Sequence, residues 1–373
     1  MRSGRPLRVA FVINHVAAYG GAERFATGLA IHMPRDRIEP WMFCTRRGDE
    51  LAVRSLVDAG VRYVSLGRRA KWDVHRLLPL VTMLRRERFD VVHSHMFGSN
   101  VWSTVAGRAC RVPVIIAHEH NWSYTGDRLR MWLDGHLISR FATCFVAVSE
   151  ANRERMITLE GVRPEKIRVI PTAYVPHLGP SDGDIRSDLK LAPDAQVIGV
   201  AAVMRKEKAL EVMLDAHAML VTRLPDVHLV IAGDGPCRPE LEGQIRRLGI
   251  ESSVHLLGRR HDVDGILSKV DVGALSSDWE GSPLFVFECR AAKVPLVATA
   301  VGGVTELVQD GHTGLLVPPR DPWGLAAAIE QVLTDRVLSE RLAEEAARDL
   351  EQYEIDAVAA RFADLYEQLV AEV

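Results

Sequence analysis

The chain has 373 residues, of which 47% are hydrophobic and 25% charged, and its formal net charge is −3. This length exceeds one ordinary domain and suffices for two hydrophobic cores. The composition excludes a disordered, collagen-like or disulfide-rich chain, and no run of 18 apolar residues predicts a transmembrane helix.

Cysteine usage and the N-terminus indicate the compartment. The five cysteines form no CxxC pair and show no metal-ligand spacing, which predicts reduced, buried thiols. The first apolar run, Leu7–Ile13, is too short for a signal peptide and ends in polar residues. We therefore expect a cytoplasmic protein, or one bound peripherally at the inner face of a membrane.

Charge is distributed unevenly along the chain. Basic residues outnumber acidic ones up to residue 170, and the reverse holds afterwards. The first half is therefore expected either to meet an anionic partner, such as a phosphorylated carrier or an acidic membrane surface, or simply to face an acidic second half. Basic clusters at 68–71 and 85–88 fit a lipid carrier at a membrane, and fit a solvated basic face equally well. No nucleic-acid partner is expected.

Short aliphatic runs alternate with helical patterns in the first half, which is typical of βαβ units. Helices are predicted at Ala22–Met33 and Val74–Arg86, where apolar residues recur at helical spacing. The predicted strands are Leu7–Ile13, Pro40–Thr45, Arg62–Leu66, Val91–Ser94, Val114–Ala117, Cys144–Ser149 and Ile167–Ile170.

A second series of strands follows Pro171–Asp184, a segment rich in Pro, Gly, Ser and Asp that predicts a linker. These strands are expected at Val197–Val203, His228–Ala232, Val254–Leu257, Val272–Leu275, Leu296–Thr299 and Gly314–Val317. The pattern predicts an α/β protein with two Rossmann-like domains, 1–174 and 175–352, facing each other across a cleft. A last helix in 353–373 could pack back on the first domain.

The segment Asp278–Lys293 carries the strongest chemical signal. Ser282 is a good N-cap and Pro283 a good first helical residue, so free N–H groups near Leu284 would form a phosphate site. Glu280 precedes this helix and Glu288 projects from it, so both carboxylates could accept hydrogen bonds from sugar hydroxyls. The alternative is a pair of ordinary acidic residues, one of which stabilises a helix N-terminus.

Two further glycine-containing segments follow at Val301–Val308 and Gly311–Pro319. With Glu280 and Glu288, which have seven residues between them, they resemble glycosyltransferase family 4, the group 1 transferases with the GT-B fold. The resemblance covers nearly the whole chain and is most specific in its C-terminal part. It implies that Glu280 holds the donor sugar and that Glu288 holds the ribose, with Gly281, Ser282 and Leu284 beside the diphosphate.

The first half agrees with the family at three places. Gly20-Gly21 resembles the glycine-rich loop near the donor diphosphate, where glycine lets the backbone approach a ligand. His95 ends a strand motif, and His120, with His118 as its rival, matches the histidine that lines the reaction centre. Trp122 and Tyr124 could stack on the acceptor, although such aromatics more often anchor loops.

The second half departs from the family pattern at several positions. Lys208 matches the diphosphate-binding lysine, whereas Val203 stands at the arginine position, and Arg205 is close enough to substitute. The alternative is that Arg205 and Lys208 belong to a solvated charge run. Ala209 and Lys293 replace common glycines, and a Pro-Asn-Gly motif reads Pro171-Thr172-Ala173. These departures leave the identity of the donor open.

The resemblance implies a retaining hexosyltransferase that moves a sugar from a nucleoside-diphosphate-sugar, with UDP favoured, to a hydroxyl acceptor such as a glycan, glycolipid or small molecule. His120, Glu280 and Lys208 would be catalytic, and His95 would lie on the acceptor side. No cofactor and no metal are expected, because Asp182-Gly183-Asp184 and Asp262-Val263-Asp264 look like solvated loops. The alternatives are an epimerase or phosphorylase on the same fold, or a degenerate sugar-nucleotide-binding partner protein.

Overall fold

The computed structural model describes residues 5–70, 73–120, 127–179 and 184–373. The chain forms two compact units. The first comprises residues 1–175 together with 352–373, and the second comprises residues 176–351.

Within the described part of the first unit, seven parallel strands form one sheet in the order β3-β2-β1-β4-β5-β6-β7. The strands are β1 Leu7–Ile13, β2 Ile38–Cys44, β3 Arg62–Ser65, β4 Val91–His95, β5 Val114–Glu119, β6 Cys144–Ala147 and β7 Ile167–Val169. Strand β4 is fully buried and β1 is buried from Val9 to Ile13, as expected of central strands covered on both faces.

Helices cover the faces of this sheet. They are α1 Gly21–Ile31, α2 Glu50–Asp58, α3 Leu78–Glu87, α4 Phe97–Cys110, α5 Arg128–Trp132, α6 Ser139–Phe141 and α7 Glu150–Thr158. A π-helix, Leu133–Ile138, joins α5 to α6. The helix expected at Val74–Arg86 is divided into a 3₁₀ turn, Val74–Leu77, and α3, because Pro79 fits only the first turn of an α-helix.

The second unit repeats the architecture with six parallel strands among its described residues, in the order β10-β9-β8-β11-β12-β13. The strands are β8 Gln196–Ala201, β9 Val227–Ala232, β10 Val254–Gly258, β11 Val272–Leu275, β12 Leu296–Thr299 and β13 Leu315–Val317. Its helices are α8 Ile185–Asp188, α9 Leu210–Leu220, α10 Arg238–Leu248, α11 Val263–Leu267, α12 Leu284–Ala292, α13 Val304–Leu307, α14 Pro322–Thr334 and α15 Arg336–Arg348. The two sheets confirm the predicted pair of Rossmann-like domains.

The last helix, α16 Ile355–Ala371, belongs to the first unit. Its buried face, which includes Val358, Phe362 and Tyr366, joins the same hydrophobic core as Phe11 and Phe25. Helix α16 therefore completes the first core from the far end of the chain.

The start of the predicted linker is packed rather than extended in solvent. Ala173 is fully buried, and Val175 packs in the core of the first unit. The Tyr174 N–H donates to the Tyr353 carbonyl at 2.7 Å. Across the described ranges, none of the helices has the length and apolar character needed to cross a bilayer.

Candidate functional site

In the second unit, Lys208 and the buried Glu280 form a partly buried ion pair. The Lys208 Nζ lies 2.6 and 2.7 Å from the two carboxylate oxygens of Glu280. Lys208 ends a 3₁₀ turn that follows β8, and Glu280 lies in the loop between β11 and α12. The Ser277 hydroxyl also donates to Glu280 Oε1 at 2.6 Å. The carboxylate is therefore held by one charged and one neutral donor, which compensates for its burial.

A glycine turn supports the Glu280 loop from the following βα connection. The Gly303 N–H donates to the Glu280 carbonyl at 3.0 Å. A Cβ at Gly302 would lie 2.1 Å from that carbonyl oxygen, and the φ of Gly302 is 48°. Only glycine fits both the space and the backbone conformation at position 302. This contact explains the first glycine of the pair that follows β12.

Helix α12 begins one residue later than expected. Pro283 is extended, with φ −72° and ψ 126°, and takes the N-cap position, so Leu284 is the first helical residue. The prediction that Ser282 is the N-cap is therefore wrong, because Pro283 itself has the extended backbone of an N-cap and precedes the first helical residue. Leu284 still presents one of the N–H groups that a helix leaves without an intrahelical acceptor. Gly281 and Ser282 are buried in the loop ahead of it.

Glu288 is buried on α12, and its exposed fraction is 4%. Its Oε1 lies 3.6 Å from Nε2 of His177, whose Nδ1 lies 3.1 Å from Asp264 Oδ1. The sequence interpretation missed His177 entirely. It also placed Asp264 in a solvated loop, which is wrong, because Asp264 lies in the first turn of α11 and binds His177. The Asp-x-Asp pattern singled out Asp264 in the sequence, but it gave no indication of its contact with a histidine 87 positions away.

The other basic residue predicted beside Lys208 lies in a different environment. The Arg205 side chain is 57% exposed, and its nearest carboxylate among the described ion pairs is Glu207, at 3.9 Å. Val203, at the expected arginine position, is also exposed. Arg205 is therefore available to an anion, whereas Lys208 is already paired.

In the first unit, Gly20 and Gly21 make the turn from β1 into α1. Gly20 has a φ of 86°, and its carbonyl accepts the Arg24 N–H at 3.0 Å. A Cβ at Gly20 would lie 2.5 Å from the Glu23 carboxylate. Glycine is thus needed for the backbone conformation at the start of α1.

Four imidazoles lie together at the ends of β4 and β5: His93 and His95 on β4, His118 on β5, and His120 just after it. Residues two apart in a strand point to the same face, and His95 lies opposite His118 in the sheet. His93 Nε2 lies 3.1 Å from His118 Nδ1, and His95 Nδ1 lies 2.9 Å from His120 Nε2. The Tyr366 hydroxyl lies 2.6 Å from His93 Nδ1. Helix α16 is thus tied to the histidine cluster by a hydrogen bond.

Burial keeps these four rings neutral. It lowers the pKa of His93 and of His120 to about 3 and holds the pKa values of His95 and His118 well below the usual range. A neutral imidazole offers one donor and one acceptor. His120 is more accessible than the other three, and its Nδ1 has no hydrogen-bond partner among the described residues. His118, the rival candidate, is fully buried, and its Nδ1 already faces His93.

Nitrogen atoms of His93, His95 and His118 are close enough together to suggest a metal centre. However, the His93 and His118 rings are parallel, with centroids 5.3 Å apart and facing nitrogens 3.1 Å apart. The two nitrogens therefore point at each other along the line of the rings. Two metal–nitrogen bonds of about 2.0 Å do not fit along that line. The cluster is better described as a hydrogen-bonded imidazole network.

Comparison with known families identifies the chain. The model for Glycosyltransferase Family 4 matches residues 19–176, and the model for Glycosyl transferases group 1 matches residues 181–349. The chain belongs to the family 4 glycosyltransferases.

The relatives of this glycosyltransferase include two sugar transferases with different names. It is 29% identical to the alpha-D-kanosaminyltransferase of Streptomyces kanamyceticus, over 77% of this chain and 79% of the relative. It is 25% identical to the UDP-Gal:alpha-D-GlcNAc-diphosphoundecaprenol alpha-1,3-galactosyltransferase of Escherichia coli, over 72% of both chains. The chain is therefore a transferase that takes a sugar from a nucleotide-sugar donor.

Solved structures show the same fold. HepE from Anabaena, in complex with UDP-glucose, matches with a TM-score of 0.84 at 23% identity, over 97% of this chain and all of that one. WaaG, a glycosyltransferase involved in lipopolysaccharide biosynthesis, matches with a TM-score of 0.72 at 15% identity, over 96% and 99%. The predicted GT-B fold is thus confirmed.

Most of the remaining residues singled out in the sequence fall outside the part of the chain that the structure describes. Trp122 and Tyr124 are outside the described residues, as are Asp182 and Gly183 of the first Asp-x-Asp match. Asp184 caps α8, accepting the Arg186 N–H at 3.1 Å.

Proposed function

We propose that this glycosyltransferase moves a hexose-type sugar from a UDP-sugar to a hydroxyl group, with retention at the anomeric carbon and without a metal ion. The Lys208–Glu280 pair, four residues ahead of α12, carries the proposal. A relative at 25% identity takes its sugar from UDP-Gal, which favours UDP as the nucleotide. In this proposal the second unit binds the donor and the first unit binds the acceptor.

The ion pair suits a site where a diphosphate arrives and leaves. Lys208 can exchange the Glu280 carboxylate for a diphosphate oxygen, because both are anions of similar geometry. Glu280 is then free to accept hydrogen bonds from the sugar hydroxyls. The Leu284 N–H, at the positive end of α12, and the Arg205 guanidinium add positive potential, which stabilises charge developing on the departing diphosphate.

Retention needs no protein nucleophile in this proposal. The acceptor hydroxyl attacks from the face that the nucleoside diphosphate leaves, and the protein orients both groups. Glu288 accepts hydrogen bonds from the ribose hydroxyls. His120, neutral and with Nδ1 unoccupied among the described residues, offers a hydrogen bond to the transferred sugar, while the turn at Gly20-Gly21 brings backbone close to the diphosphate.

The proposal that no metal is needed is supported by the partners of the two aspartates in the second Asp-x-Asp sequence, Asp262 and Asp264. Asp262 binds Arg260, with Nε to Oδ1 at 2.8 Å, and Asp264 binds His177. Both carboxylates are therefore occupied by cationic or N–H partners and are poor candidates for holding a diphosphate-bound cation.

The donor is identified by a thermal-shift screen of UDP-, GDP-, ADP- and dTDP-glucose on the whole protein. A ligand at one hundred times its Kd stabilises the folded state by about 2.7 kcal/mol, and we expect the largest shift with UDP-glucose. Glu288→Ala and Lys208→Ala should abolish that shift, whereas Glu344→Ala, on the exposed face of α15, should keep it. Equal shifts with all four nucleotides would contradict the choice of UDP.

Turnover separates the transferase from its rivals. We expect the product to keep the anomeric configuration of the donor in its NMR coupling constant, and EDTA to leave the rate unchanged. Epimerised donor in the absence of acceptor would indicate an epimerase. Donor binding without any turnover, across a panel of hydroxyl acceptors, would indicate a binding protein.

For the acceptor, we propose a lipid-linked substrate at an anionic membrane surface. The E. coli relative acts on a diphosphoundecaprenol-linked sugar. In the first unit, Leu129 and Trp132 on α5 are 67% and 54% exposed. The same helix carries the basic residues Arg128 and Arg130. Exposed apolar side chains next to arginines fit the interface of an anionic bilayer.

Vesicle binding tests this acceptor class. The protein should bind vesicles containing anionic lipid and should dissociate as salt rises from 50 to 500 mM, because exposed charges are screened. Leu129→Ser with Trp132→Ser should weaken binding several-fold, whereas Val337→Ser on α15, where Val337 is 77% exposed, should not. Binding that ignores salt, or that the α5 substitutions leave intact, would refute the membrane surface.

A further inference from the structure

His177 lies between two carboxylates at the start of the second unit. Its ring Nδ1 and its backbone N–H both bind Asp264, at 3.1 Å to Oδ1 and 2.9 Å to Oδ2. Its ring Nε2 lies 3.6 Å from Glu288 Oε1. The side chains of His177 and Glu288 are each only 4% exposed, whereas that of Asp264 is 27% exposed.

The arrangement fixes the direction of the ring. Asp264 accepts two hydrogen bonds from the same residue, so both the backbone and the imidazole plane of His177 are held by one carboxylate. With Nδ1 committed to Asp264, Nε2 is the nitrogen that faces Glu288. The Gly179 N–H also donates to the His261 carbonyl at 3.2 Å, which holds the same segment against the chain just ahead of α11.

The imidazole of His177 can stabilise the buried carboxylate of Glu288. A buried carboxylate is unfavourable unless donors or a positive charge compensate for lost hydration. With Nδ1 directed at Asp264, a proton on Nε2 of His177 would point toward the Glu288 carboxylate, 3.6 Å away, and would supply part of that compensation. The arrangement resembles the carboxylate–histidine pairs that orient metal ligands. The carboxylate of Glu288 is thereby kept in one orientation on α12.

We infer that His177 is a positioning residue of the donor site: anchored by Asp264, it holds the Glu288 carboxylate in the orientation that receives the ribose hydroxyls of the nucleotide. This inference rests on the proposed function, because it takes Glu288 as the ribose ligand. It adds two residues, His177 and Asp264, that neither the family motif nor the sequence pattern indicated.

A double-mutant cycle tests the inference, with UDP as the probe and GDP, ADP and dTDP titrated in parallel by calorimetry. His177→Ala should weaken UDP binding about tenfold, which corresponds to about 1.4 kcal/mol. Glu288→Ala should weaken it at least as much. The double variant should bind no more weakly than Glu288→Ala alone, because a residue that acts only through Glu288 has no effect once Glu288 is gone.

Two further variants distinguish positioning from general loss of structure. His177→Gln keeps a donor near the Nε2 position and should recover part of the lost affinity. His312→Ala is the matched control, since His312 Nε2 lies 3.8 Å from Glu345 in the same unit but is more than half exposed. It should leave UDP binding unchanged. In turnover, His177→Ala should raise the KM for the donor more than it lowers kcat.

Each outcome decides a different question. If wild-type protein binds none of the four nucleotides, the proposed function fails. If UDP binds and Glu288→Ala has no effect, the ribose role of Glu288 fails and the inference fails with it. If both single variants weaken binding and their effects add in the double variant, only the role of His177 as a positioning residue is overturned.

Discussion

Ala209 and Lys293 hold left-handed backbone conformations that side chains rarely adopt. Their φ and ψ angles are 44° and 41° for Ala209, and 53° and 44° for Lys293. These are two positions where related transferases commonly have glycine, as the resemblance indicated. At both positions the backbone holds a conformation that glycine adopts readily, and for a residue with a side chain this costs roughly 1–2 kcal/mol.

Lys293→Gly is therefore expected to stabilise the protein. Lys293 is exposed and ends α12, so the substitution removes strain without opening a cavity. After allowing for the greater flexibility of glycine in the unfolded chain, we expect a gain of about 0.5–1 kcal/mol in urea unfolding. Glu344→Gly, at an exposed position inside α15, should instead lose about 1 kcal/mol. If both variants had a lower free energy of unfolding than the wild type, the proposed backbone strain at Lys293 would be contradicted.

At the scale of a single element, the π-helix Leu133–Ile138 carries a buried acid. Asp134 is 2% exposed, and burial, followed by repulsion from Glu160, raises its pKa to about 8. Glu119, also buried, has a pKa raised well above its usual range by burial and by Asp134 and Glu160, while Arg130 acts in the opposite direction. The folded state therefore favours the protonated form of Asp134.

This raised pKa predicts a pH-dependent effect of Asp134→Asn. The stability contributed by protonated Asp134 is complete below its unfolded pKa of 3.8 and is lost as the pH rises through about 8. The asparagine side chain does not titrate. The free energy of unfolding of Asp134→Asn, relative to that of the wild type, should therefore rise by more than about 1 kcal/mol between pH 5 and pH 8, since one pKa unit is worth 1.36 kcal/mol.

Urea unfolding at the two pH values measures the difference. Asp58→Asn, whose carboxylate is 69% exposed at the end of α2, is the control and should show the same small effect at both. A larger advantage of Asp134→Asn at pH 5 than at pH 8 would refute the sign of this prediction.

Individual elements differ in how far the sequence could predict them. Strands β1, β11 and β12 were predicted with the observed bounds, because short, mostly apolar runs are typical of buried parallel strands. The start of α12 was displaced by one residue, since Pro283 suits both the N-cap and the first turn. Local patterns therefore predicted the elements better than the residues at their ends.

In the candidate site too, features within one short stretch of sequence were predicted, and contacts between distant residues were not. The Glu280 loop and the helix with Glu288 were predicted because their residues lie close together in the sequence, whereas the roles of the two glutamates were implied by the family resemblance. His177 was not predicted, because its partners, Asp264 and Glu288, are brought to it only by the packing of α11 and α12. The pairing of Lys208 with Glu280 likewise joins residues 72 positions apart, which no local pattern encodes.

At the scale of the whole molecule, each unit has its own hydrophobic core, and Phe362 on α16 belongs to the first. Phe362→Ala should cost about 3–5 kcal/mol, because it removes a fully buried aromatic ring. Hydrogen exchange followed by mass spectrometry should show faster exchange in residues 5–175 and 352–373, and unchanged exchange in 176–351.

Ile329→Ala is the matched variant in the second unit, where Ile329 is fully buried on α14. It should accelerate exchange in 176–351 and leave the first unit unchanged. Loss of protection in both units after either substitution would contradict independent cores.

The return of α16 to the first unit has a consequence for how the protein is made. A ribosome delivers β1 to β7 early, but the helix that closes their core, with Phe362 and Tyr366, emerges only after all of the second unit. Synthesis of the first unit therefore begins first, yet its folding is completed last. A message truncated by a few dozen codons at its 3′ end would release a protein damaged in the half that was translated first.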